Sequence, residues 1–60
     1  MKVKELQPGD HVVDQYNGAP VDFEVVSVQP LGYLIEVTFR SVLGMASAAY
    51  HGNAYINAQR

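Results

Sequence analysis

Sixty residues with no cysteine, no tryptophan, 17% charged residues and a formal net charge of −2 leave room for one domain and exclude a disulfide scaffold or a cysteine-based zinc site. A chain this short buries only about 60% of the surface its unfolded form exposes, so its stability is marginal, and a partner or a second copy is the support still open to it. The four basic residues Lys2, Lys4, Arg40 and Arg60 lie near the ends or alone, which argues against a protein whose main task is to neutralise phosphates.

The opening stretch, Met1-Lys2-Val3-Lys4-Glu5-Leu6-Gln7-Pro8-Gly9, holds no apolar run of signal-peptide length. No run in the chain approaches the roughly 20 apolar residues of a membrane-spanning helix. The expectation is a soluble, cytoplasmic protein with no membrane partner. Val3 to Leu6 is a short edge-strand candidate. Gln7-Pro8-Gly9-Asp10 meets the needs of a type II turn, with proline presetting φ at the second position and glycine supplying positive φ at the third. The side chain of Asp10 is placed to close that turn.

His11-Val12-Val13-Asp14-Gln15-Tyr16 reads as a strand of ambiguous phase, and Asn17-Gly18 after it is a hairpin signal with Pro20 opening the next strand. Val21-Asp22-Phe23-Glu24-Val25 alternates cleanly, then Val25-Val26 shifts the phase so that Val26 and Val28 fall on the other face. Such a double phase predicts a β-bulge or a bend round a barrel corner. Gln29-Pro30-Leu31-Gly32 is a break. Beyond it, Tyr33, Ile35, Val37 and Phe39 fall on one face of a strand and Leu34, Glu36, Thr38 and Arg40 on the other. On that phase Tyr33 is a core residue.

Residues 41–50 admit two readings. As a helix over 42–50, Ser41 is the cap, Val42, Met45, Ala46, Ala49 and Tyr50 share a face, and Gly52 ends it. As a strand, Met45 to Tyr50 pairs with Ala54 to Ala58 across His51-Gly52-Asn53. Gly44 inside the helix costs about 1 kcal/mol, and the segment is shorter than the roughly 12 residues an isolated helix needs, so strand is preferred.

The series Leu6-Gln7-Pro8-Gly9-Asp10-His11-Val12-Val13, Phe23-Glu24-Val25-Val26-Ser27-Val28 and Ile35-Glu36-Val37-Thr38-Phe39 resembles small SH3-like β-barrel proteins of actinobacteria and their bacteriophages, most of them without assigned activity. The resemblance spans nearly the whole chain and implies an all-β, antiparallel barrel of five to six short strands in a single domain over 1–60. It also implies that Tyr50 to Asn57 forms the closing hairpin. Arg40 to Gly44 departs from the pattern, reading as longer than a tight connection. In a phage setting the resemblance implies an accessory protein acting on a host cytosolic protein.

Signals for chemistry are few. Ser27, Ser41 and Ser47 lack a glycine-framed elbow and a nearby histidine–acid pair, so no enzyme is expected. His11, with Asp10, Asp14 and His51, is the sole metal-ligand set on offer, and its spacing falls short of a four-ligand site. Asp22 and Glu24, two apart on one strand, describe a solvated face. No cofactor is expected. Tyrosine is enriched at interface hot spots, and the chain has tyrosines beside turns and out of phase with apolar neighbours. Tyr55 alternates with Ala54, Ile56 and Ala58, which places it outward with Asn57. The binding residues expected are Tyr16, Tyr50, His51, Asn53 and Tyr55, set beside a thin, alanine-rich edge able to pair with a protein partner or with another copy. The alternatives are a self-assembling structural or virion subunit and, weaker, a single-stranded nucleic-acid-binding barrel, because stacked bases also need a basic groove.

Overall fold

The computed structural model describes residues 1–59. A 3-10 turn over Val3–Glu5 precedes five strands: β1 (His11–Tyr16), β2 (Ala19–Leu31), β3 (Leu34–Ser41), β4 (Gly44–Tyr50) and β5 (Ala58–Gln59). They form one antiparallel sheet in the order β4-β3-β2-β1-β5. The all-β expectation holds, and the helix alternative over 42–50 is overturned by β4. The sheet is open, however, since no ladder joins β4 to β5 among the described residues.

Three tight turns build the meander. Asn17 and Gly18 have φ of 52° and 79°, the left-handed pair that a two-residue hairpin matched to strand twist requires. The Pro8-Gly9 turn forms as expected: Asp10 N–H donates to Gln7 C=O (3.0 Å), and the buried Asp10 carboxylate accepts the Gln7 N–H at 2.9 Å. The second hairpin turns at Gly32-Tyr33, later than Gln29-Pro30 announces. Pro30 stays in β2 opposite Ile35, tolerated because β1 has already ended and no second neighbour needs the missing N–H. Tyr33 consequently stands in the turn, 84% exposed, and is not a core residue. The third turn, Val42-Leu43, is tight, which corrects the reading of Arg40 to Gly44 as a long connection. Ser41 Oγ accepts the Leu43 N–H at 3.0 Å, the same local bond a helix cap makes, here closing a hairpin.

The phase shift in β2 is a bulge. Val25 lies opposite Phe39 and Ser27 opposite Thr38, so Val26 is the extra residue. Swallowing one residue returns Val28 to the face of Val25, and Val28 packs on the core instead of away from it. That core is Val3, Leu6, Val12, Val25, Val37 and Phe39, with Phe23, Ile35, Tyr50, Ala54, Ile56 and Ala58 packed around it.

Both chain ends depart from the expected layout. Val3 to Leu6 is a 3-10 turn, not an edge strand; it drops Val3 and Leu6 into the core three residues apart. The closing hairpin is absent as well. After the turn at Gly52-Asn53 the chain runs along the N-terminal segment, with Val3 N–H donating to Ala54 C=O (2.9 Å), Lys4 N–H to Gly52 C=O (3.0 Å) and Ile56 N–H to Met1 C=O (2.9 Å). β4 pairs with β3 across Val42-Leu43 instead.

The bulge makes adjacent valines unequal. Val25→Ala is expected to cost about 2–3 kcal/mol through lost burial and the cavity left behind, and Val26→Thr no more than about 0.5 kcal/mol. Urea unfolding of the two variants measures both, and equal losses would refute the assignment of Val26 as the extra residue.

Candidate functional site

Because directly opposite residues of an antiparallel ladder share a face, Ala46, Ala48 and Tyr50 of β4 lie on the core side with Phe39, Val37 and Ile35. Two of those three are alanine. Their side chains stop at a methyl group, so Ala46 and Ala48 are solvent-exposed, while Phe39 and Val37 opposite them stay buried. The result is a groove of 520 Å³, walled by Ala46, Ala48 and Tyr50 on one side and by Val12, Asp14 and Tyr16 of β1 on the other. Phe23 and Phe39 form its floor, and Tyr55 to Asn57 line it from the C-terminal segment.

An aromatic chain runs through this floor. The Tyr16 and Phe23 rings are 5.7 Å apart, and Phe23 meets Phe39 edge-on at 6.1 Å, both within the range of favourable aromatic contacts. Tyr55 is outward, as its alternation with Ala54, Ile56 and Ala58 implies, and its ring lies 5.9 Å from the Lys2 ammonium. The groove carries one ionised side chain, Asp14, whose carboxylate accepts the Gln15 N–H at 2.8 Å. Burial raises the Tyr50 phenol above its ordinary value of 10.0, and the neighbouring Asp14 charge and Tyr16 raise it further. This mouth is therefore apolar with a negative corner, suited to an apolar side chain with a donor or cation beside it.

Of the five expected binding residues, Tyr16, Tyr50 and Tyr55 come together in the groove. His51 and Asn53 do not: His51 instead faces Tyr33, ring to ring at 5.9 Å, beside the β2–β3 turn. Phe23 and Phe39 are not among the residues the sequence singles out for a site, and Asp14 is singled out only as a metal ligand. The available signal was the alternation of Ala46 and Ala48 opposite larger side chains, which marks a hollow once the β3–β4 pairing is known.

The outer face carries a charged row. Arg40 Nη2 donates to Glu24 Oε1 at 2.7 Å, and the His11 Nδ1 to Asp22 Oδ2 distance is 2.9 Å. The Arg40 hydrogen bond and charge hold the Glu24 carboxyl below its usual range. These are exposed pairs, screened by solvent, and add little to stability. Asp10 is committed to its turn and His11 to Asp22, and among the described residues no cluster of His, Asp or Glu could hold a metal. Ser41 and Ser47 are likewise engaged in the hairpin, Ser47 with the Thr38 hydroxyl at 3.0 Å. No helix of the described residues is long and apolar enough to cross a membrane.

The Tyr50 environment sets an alkaline limit. Below the ordinary phenol value both states are protonated and the contribution to stability is complete; as pH rises through the raised folded value, the unfolded chain ionises first and stability falls. Tyr50→Phe is expected to show a shallower loss of melting temperature above pH 10.0 than the natural chain. Parallel curves would mean that the phenol ionises as freely in the fold as outside it.

Comparison of the chain with protein-family models, with curated proteins and with solved structures found no match.

Proposed function

We propose that this chain is a non-enzymatic binding module, an SH3-like barrel in topology, that holds a protein partner in the groove between β4, β1 and the 55–57 segment. The observation that carries the reading is the groove along Ala46 and Ala48, where Tyr16, Tyr50, Tyr55 and the half-buried Phe23 line one concave patch over the buried Phe39. Concave, largely apolar sites with a few placed polar groups are the usual form of binding sites, and tyrosine is a preferred anchor in them. The barrel assignment draws on a meander whose last strand returns beside the first, and on a 13-residue β2 that serves both β1 and β3 across a bulge. On the resemblance alone, the setting is the cytoplasm of an actinobacterial host and the role that of a phage accessory protein acting on a host protein.

A nucleic acid suits the groove less well. Its one ionised group is a carboxylate, which repels phosphate, and the net charge of the chain is −2.

Capture from a host lysate by the immobilised chain, with and without nuclease and alongside Tyr55→Ala, tests the reading. The expected result is one dominant protein that survives nuclease and whose recovery falls about tenfold or more with Tyr55→Ala, while the circular dichroism spectrum and melting cooperativity stay unchanged. Recovery abolished by nuclease would hand the groove to nucleic acid. Loss of cooperative folding in Tyr55→Ala would make Tyr55 a structural residue.

A further inference from the structure

The backbone edge of β4 offers a contact of a different kind. β4 is one end of the sheet, and among the described residues its main chain pairs only with β3, so the other side of seven residues presents unmatched N–H and C=O groups. Native sheets blunt such edges with charge, proline, a bulge or brevity. The far edge here is blunted by brevity, since β5 has two residues. β4 has none of these protections within it: Gly44-Met45-Ala46-Ser47-Ala48-Ala49-Tyr50 contains no proline and no Asp, Glu, Lys, Arg or His. Each of β1, β2 and β3 carries at least two such charged or titratable side chains, among them His11 and Asp14, Asp22 and Glu24, Glu36 and Arg40.

Neutrality has a particular consequence for pairing with an identical strand. In an antiparallel two-fold pairing the residue on the axis faces itself, and a charge there meets its own kind. A strand free of such charges has no forbidden axis. We propose that the chain forms a two-fold dimer through antiparallel pairing of two β4 strands centred on Ser47, giving one continuous sheet of ten strands.

Centring on Ser47 pairs β4 over its whole length. Ser47 meets the Ser47 of the partner subunit, Ala46 meets the partner's Ala48, and Tyr50 meets the partner's Gly44, whose missing side chain leaves room for the ring. Because the two-fold axis stands normal to the sheet, Ala46, Ala48 and Tyr50 of both copies stay on one side. The assembly also closes: pairing consumes the outer edge of β4 in each chain and leaves the two-residue β5 as the outermost strand at either end of the sheet. If the groove binds as proposed above, the dimer carries two such grooves opening on the same side, and a partner with two matching segments gains avidity. The dimer itself does not rest on that reading.

Sedimentation equilibrium and a single-cysteine variant test it together. The natural chain is expected to show twice its 6.6 kDa mass at high micromolar concentration. The chain has no cysteine, so a disulfide in Ser47→Cys joins two copies at one known position. Directly opposite residues stand about 4.5–5.5 Å apart at Cα, inside the range a disulfide spans, and mild oxidation is expected to cross-link this variant nearly completely. Gln15→Cys, on β1, is expected to cross-link far less. Ser47→Lys puts two ammonium groups face to face on the axis and is expected to weaken association at least tenfold with an unchanged circular dichroism spectrum. A 6.6 kDa monomer, a dimer indifferent to Ser47→Lys, or cross-linking no better at 47 than at 15 would each overturn the proposal. Should the lysine variant fail to fold, the natural mass and the Ser47→Cys comparison decide alone. Tyr55→Ala is expected to leave the dimer intact, so a lost partner and a lost dimer read separately.

Discussion

At Val26 the ladder between β2 and β3 skips a step, and most of the molecule is arranged around that skip. Before it, Phe23 faces the core where β2 pairs with β1 and Val25 where β2 first pairs with β3; after it, Val28 faces the same core along β3. Were Val26 to take a place in the ladder, the strict period of two would send Val28 to the outer face and set Ser27 opposite Val37. A bulge also increases local twist and bends the strand. One strand of 13 residues can therefore line two regions of a single core, which is how so short a chain encloses Val25 and Val37 with 1% and 0% exposure.

The core is small, and the groove is where it is left incomplete. Valine dominates the fully buried positions, and the larger aromatics line the groove, Phe39 buried and Phe23, Tyr16 and Tyr50 partly exposed. Larger side chains at 46 and 48 would fill part of the groove and bury apolar area there, at roughly 0.8 kcal/mol per methylene. Their absence leaves apolar area uncovered in a chain that has little stability to spare. The same two positions thus connect a thin sheet edge to an aromatic-lined groove.

Local chemistry was legible where it had a single outcome. Asn17-Gly18 needs two positive φ values and Pro8-Gly9 one, and both turns form as read; the valine phase shift announced the bulge. It was illegible where one local bond serves two elements. Ser41 accepts the N–H two residues on, whether it caps a helix or closes a hairpin, so only the unpaired partner strand β3 decides between them. Tyr33 was misread because periodicity does not say where a strand starts, and Gly32, with φ of 60°, starts the turn first. The tyrosines of the site could be picked by residue type and phase. The meeting of Asp14 with Tyr50 depends on how distant strands are stacked, which no local pattern carries, and His51 was misplaced for the same reason.

The seam between residues 1–4 and 52–56 bears on the order of folding. The hairpins at Asn17-Gly18, Gly32-Tyr33 and Val42-Leu43 each join neighbours in the chain and close small loops, whereas the bonds from Val3, Lys4 and Met1 join its opposite ends. Loops that long are the slow step in β topologies, since their closure entropy falls due before their contacts form. Val3 and Leu6 belong to the core yet sit on the far side of that loop. During synthesis the meander can assemble as it emerges, while residues 1–6 wait for residues 52–56. The seam, formed after the hairpins, is what joins these residues into one cooperative unit.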